Sequence, residues 1–160
     1  MRKALDTAAV FALSLMFWIT WRAFHSTVPL SARVPIHFNA AGQADGWGSP
    51  ISLLLLPSVA GAVCGLMWVV ARMPQSFNFP VRVTPANRRH LEGLAVEMIA
   101  WLRAEMAWMF AWIQWSAVEA VRDPHRATAE RFMPVWIAVI FVTIGWHIVA
   151  MVRAGAPRPR

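Results

Sequence analysis

One cysteine in 160 residues excludes a disulfide framework within the chain, and a cysteine-based zinc site with it. Charge is scarce: Asp, Glu, Lys and Arg make up 14% of the residues, against roughly 25% in soluble domains. Lys3 is the sole lysine among the 15 basic residues. There is no Gly-rich phosphate loop, no Gly-x-Ser-x-Gly elbow and no His-Glu-x-x-His pair. No catalytic constellation emerges, so the expectation is a protein that is not an enzyme and carries no cofactor. What fills the chain is apolar. Hydrophobic residues make up 58%, with 10 Trp, 9 Phe and 9 Met, and mean hydropathy is +0.48. Such a composition excludes disorder. A soluble globule of this size has too little interior to hide that much apolar surface. The class is an integral membrane protein of one domain, with the lipid bilayer as its first partner.

The net charge is +7. In a soluble protein that excess points to nucleic acid. Here the basic residues lie between and beyond apolar runs and are not interleaved with exposed aromatics. They read as positive flanks of membrane helices, with no nucleic-acid partner.

Three apolar runs are long enough to cross about 30 Å of hydrocarbon as helices: residues 5–24, 51–71 and 132–152. Arg2 and Lys3 precede the first in the manner of a signal peptide, but no small-x-small cleavage site follows it. Ser49 and Pro50 are placed to cap and start the second, and Pro57 predicts a kink in it. Residues 91–121 are more polar. A span over 102–121 keeps its three charges near its ends, with 91–101 as a cytoplasmic extension of the same helix. The alternative is an amphipathic helix on the membrane surface and three spans. The expected fold is an all-α membrane protein, a four-transmembrane-helix bundle with a structured extracytoplasmic loop between helices 1 and 2. Residues 1–153 form the membrane domain and 154–160 a disordered tail. With four spans, nine basic residues fall inside and five outside, which puts both termini in the cytoplasm.

The loop before the second span is rich in turn formers. Gly42, Asp45-Gly46 and Trp47-Gly48 permit positive φ and sharp reversals, and Trp47 is suited to the headgroup level. Val34-Pro35-x-His37-Phe38-Asn39, then Gly42-x-x-Asp45-Gly46-Trp47-Gly48-Ser49, with Leu56-Pro57 beyond, resembles the bacterial membrane family called domain of unknown function 1648. That domain also forms part of SdpI-type immunity and signalling proteins. Asn78-x-Pro80 and Val83-Thr84-Pro85-x-Asn87-Arg88, ahead of a long helix, look similar to the same family. The sequence departs from it at Ser31, Pro50 and Ala86. The resemblance implies a protein of the bacterial inner membrane, of mostly unknown activity, with toxin-peptide immunity known for some members.

Two groups of candidate binding residues follow. His37, Asn39, Asp45, Gly46 and Trp47 lie in the outer loop. His37, Asn39 and Asp45, with His25, have the chemistry of an oxygen/nitrogen metal site, but no second His or Cys stands at zinc spacing. Side chains bonding their own turns are the expectation, and no metal. The second group is one face of the third helix, where Trp101, Glu105, Trp108, Trp112, Trp115 and Glu119 fall within about 80° of Glu97 at 100° per residue. Such a face is either helix packing or a groove for a cationic or amphipathic ligand. His147 in the last span reads as a neutral imidazole on a backbone carbonyl, Cys64 as a small core residue, and Gly61-x-x-x-Gly65 as a helix-contact face. The leading function is recognition of a peptide or protein partner by the outer loop and upper helices, in immunity or signalling. The alternative is a small transporter or channel subunit with Glu105, Glu119, Arg103 and His147 on a polar path. A membrane metalloenzyme is third. A homo-oligomer is left open.

Overall fold

Residues 2–22 contain neither glycine nor proline, so nothing interrupts the first helix. In the computed structural model, which describes residues 1–29, 31–39, 44–122 and 129–156, α1 spans Arg2–Arg22 and runs on through a π-helical turn at Ala23–Thr27. Two short strands follow, β1 (Val34–Phe38) and β2 (Ala44–Gly48), paired antiparallel. A 3-10 turn at Pro50–Leu54 leads into α2 (Leu55–Val70). Then come α3 (Arg88–Arg122), with 35 residues, and α4 (Ala129–Gly155).

Side-chain contacts fix the helix directions. Asp6 of α1 meets Arg103 of α3, and Thr20 meets Gln114, so α1 and α3 run parallel. Cys64 of α2 lies beside the Arg103 carbonyl and the Leu53 carbonyl beside Gln114, so α2 runs against α3. Thr143 of α4 meets Glu105, and Met151 packs on Leu91 and Ala95, so α4 also runs against it. The helices alternate up, down, up, down, with α3 packed on each of the other three. Small residues make this possible. Ala100, Ala104 and Ala107 meet Leu5, Ala9, Ala12 and Cys64, while Ala111 meets Met16 and Ala60. Without large side chains the backbones approach closely, which is how helices associate in lipid.

Among the described residues, three helices are long and apolar enough to cross a membrane: Arg2–Ser26, Pro50–Val70 and Phe132–Gly155. Their outer faces carry exposed Phe11, Phe17, Leu55, Leu66, Phe141, Val142 and Trp146 among others. An apolar belt of this extent marks a membrane face. The least apolar of the four helices, α3, is the one most enclosed by protein. Its polar groups turn inward: Arg103 and Gln114 are both buried.

Several expectations are corrected. The loop between the first two spans is not turns alone: residues expected to bend the chain form β2. Gly46 pairs with His37 within the hairpin and has no positive φ, so the left-handed turn expected at Asp45-Gly46 is not there. Glycine is needed for space instead, because a Cβ at Gly46 would sit 3.0 Å from the His37 Cβ. A Cβ at Gly48 would be 2.9 Å from Ile36. The reversal at 40–43, with Gly42, lies outside the described residues. Ser49 occupies the N-cap position, yet its hydroxyl makes no capping bond, because the chain enters a 3-10 turn. Gly61 and Gly65 face no neighbour within 4 Å, so their small-residue face makes no helix contact within the chain. The last helix continues to Gly155, two residues into the expected tail, and 157–160 lie outside the described residues.

Candidate functional site

The hairpin stands on the bundle end. Val34 and Pro35 are buried, and Val34 packs with Ala23, Val28, Leu53, Ala117 and Val118. Ile36, at the register shift between Pro35 and His37, is 55% exposed. His37 is also exposed, because the register shifts between Pro35 and His37 and again between His37 and Phe38. These irregularities set His37 beside Asp45, with Nδ1 2.5 Å from the carboxylate Oδ1. Both side chains face outward. Trp47, opposite Pro35, is exposed as well, and Asn39 follows directly on β1. So the structure gathers the five outer-loop candidates, His37, Asn39, Asp45, Gly46 and Trp47, on one small hairpin. His25 is engaged elsewhere: its Nδ1 lies 2.9 Å from the Trp21 carbonyl. Among the described residues no three His, Cys, Asp or Glu side chains gather to hold a metal ion.

The α3 candidates are shared out among neighbouring helices instead of lining one open groove. The Glu105 carboxylate turns to α4, where the Thr143 hydroxyl donates to its Oε1 at 2.5 Å. Trp108 packs toward α1, its ring 5.9 Å from that of Phe11. Trp112 stacks between Trp115, at 5.0 Å, and Phe132 of α4, at 4.9 Å. Glu119 accepts from Arg122 of its own helix at 3.0 Å. His147 Nδ1 lies 2.8 Å from the Thr143 carbonyl, the backbone contact expected of it. Two buried polar atoms have no partner among the described residues, Glu105 Oε2 and Trp112 Nε1.

Sequence reasoning missed the polar seam that joins the helices. Asp6 of α1 accepts from the buried Arg103 guanidinium. Deeper along α3, the Gln114 amide donates to the Thr20 hydroxyl at 2.8 Å and to the Leu53 carbonyl at 3.0 Å. Pro57 favours the second bond. An α-helical turn would aim the N–H of residue 57 at the Leu53 carbonyl, and proline has none. Gln114 supplies a donor to that carbonyl from α3. The signal was legible as a proline within an apolar helix and a lone amide within an apolar stretch, but not as a pair.

At the other end of the bundle the chain between α2 and α3 folds back on the helices. Phe77, Phe79 and Val81 pack on Leu91, Ala95 and Met151. Thr84 and Asn87 then build a reciprocal cap: the Thr84 N–H donates to Asn87 Oδ1 at 2.7 Å, and the Asn87 N–H to Thr84 Oγ1 at 3.3 Å. This is the capping-box arrangement, with Asn in place of Glu and Pro85 as a first-turn proline.

No curated protein and no solved structure matches the chain. Residues 9–61, covering most of α1, the hairpin and the start of α2 through Gly61, match the family model described as domain of unknown function (DUF1648), the family that the hairpin motif resembles.

Proposed function

We propose that the protein is a non-catalytic four-span protein of the bacterial inner membrane, with both termini cytoplasmic. Its hairpin recognises a peptide or protein partner on the outer face, in an immunity or signalling role. The observation that carries this reading is the mounting of the hairpin. Val34 and Pro35 root it in the bundle, while Ile36, the paired His37 and Asp45, and Trp47 are exposed. A rigid platform presents these groups at little ordering cost, which favours binding. Its strand edges offer backbone groups to an extended peptide. The fourth span is supported by the enclosure of α3. A helix flanked by three apolar helices shares their depth, and its charges are tolerated because they face protein.

A photoreactive residue at position 36 tests the recognition. Discrete adducts to one peptide or protein are expected from intact cells at position 36 and none from position 142, on the exposed face of α4. His37→Gln together with Asp45→Asn should weaken the adduct. The same lipid-only pattern at both positions would contradict the reading.

One observation favours a second reading, a proton-coupled transporter: the buried Glu105 Oε2 has no partner among the described residues. Proton flux in liposomes that Glu105→Gln abolishes would establish it. Against it, two of the charged groups on the expected path are already paired, Arg103 with Asp6 and Glu119 with Arg122.

A further inference from the structure

An apolar cavity of about 530 Å³ lies where the inner ends of α2 and α4 meet the α2–α3 connection. Val70, Ile99, Ile148 and Met151 belong to its helical walls, and Phe77 and Phe79 line it from the connection. Ser76 and Asn78 are its polar members. The volume is that of a small-molecule site, and no side chain among the described residues fills it. The connection is held against α4 by a tight contact. A Cβ on Gly155 would lie 2.6 Å from the Val81 Cβ, so only glycine lets the two segments meet. The cavity is therefore preformed.

The same end of the bundle is positive. Arg72 lies just past the end of α2, Arg82 lies in the α2–α3 connection beside Val81, and Arg153 lies in the last turn of α4. All three are exposed, and among the described residues none has an ion pair with a carboxylate. The carboxylates of the neighbouring α3 segment are committed elsewhere. Glu92 is held by Arg88 at 2.9 Å, and Glu92 and Glu97 both line a separate cavity with Met1 and Arg2. Arg72 also lies over the exposed Trp68 ring, 3.3 Å from its centroid, an amphipathic pair suited to the headgroup level.

We propose that this cavity binds one anionic phospholipid of the cytoplasmic leaflet, an acyl chain in the apolar space and the headgroup among Arg72, Arg82 and Arg153. Apolar cavities stay dry and accept apolar matter. A zwitterionic lipid offers the same chains, so selectivity comes from the arginines. The inference rests on the membrane placement of α2 and α4 and on the proposed cytoplasmic side of their C-terminal ends, and not on what the hairpin binds.

The test is native mass spectrometry of the full chain, purified in detergent and given equimolar phosphatidylglycerol and phosphatidylcholine. One retained phosphatidylglycerol is expected, with the phosphatidylcholine adduct at least tenfold weaker. Arg82→Gln and Arg153→Gln should each reduce that preference about fivefold, from roughly 1 kcal/mol per arginine. Ile148→Trp, at an exposed α4 position that lines the cavity, leaves the charge unchanged and should remove the retained lipid. Ile99→Trp should do the same from α3, and a cooperative thermal transition shows which variants are folded. Equal retention of the two lipids, no retained lipid, or full retention by both folded tryptophan variants would overturn the proposal. Photo-crosslinking at position 36 reads the hairpin separately, so either idea can fail alone.

Discussion

Gln114 is 1% exposed and touches two other segments through one amide. In hydrocarbon an amide without partners is costly, so its bonds decide where α1, α2 and α3 stop sliding past each other. Gln114→Leu should destabilise the protein by about 1–2 kcal/mol, since it removes the hydrogen bonds to the Thr20 hydroxyl and the Leu53 carbonyl. In a Pro57→Ala background the helix N–H returns to that carbonyl. The cost of Gln114→Leu should then fall by about half. A double-mutant cycle by denaturant titration in mixed micelles measures this coupling, and strict additivity would show that Pro57 and Gln114 act independently. Gly46 is another position where one atom matters. Gly46→Val would force His37 away and open the hairpin, which proteolysis in intact cells detects as faster cleavage at the loop; cleavage as slow as in the parent would remove the close-approach argument.

At the scale of elements, composition and periodicity located the apolar helices to within a few residues. Residues 5–24, 51–71 and 132–152 correspond to α1 at Arg2–Arg22, the 3-10 turn with α2 at Pro50–Val70, and α4 at Ala129–Gly155. Length and hydropathy suffice there because each helix reads as one uninterrupted apolar run. The hairpin was not legible as strands. Its glycines satisfy a close approach between strands, and a single sequence does not separate that need from a turn. Pro57, where a kink is expected, lies in the first turn of α2, directly after the 3-10 turn. The cap of α3 was hidden because Asn87 does the work usually done by Glu. Asn87→Ala removes its bonds to the Thr84 N–H and the Arg82 carbonyl. The expected cost is about 1 kcal/mol, with faster hydrogen exchange confined to residues 84–90.

For the whole molecule, the arrangement inverts a soluble bundle. The most apolar helices are outermost and the most polar one, α3, is central. The one-sided Trp and carboxylate face was legible from spacing alone. Its division between α1 and α4 was not, because spacing says nothing of which neighbour takes which side. The central claim is that α3 crosses the membrane within the bundle. Its 35 residues span about 52 Å at 1.5 Å each, enough to cross and to reach into the cytoplasm. The lone cysteine makes the decisive measurement simple. In a Cys64→Ala background, single cysteines at Asp45, Thr84 and Arg122 are treated with a membrane-impermeant maleimide. The account predicts labelling at 45 and 122 in intact cells, and at 84 only after permeabilisation. Labelling at 122 only after permeabilisation would leave α3 on the inner side and contradict the four-span bundle.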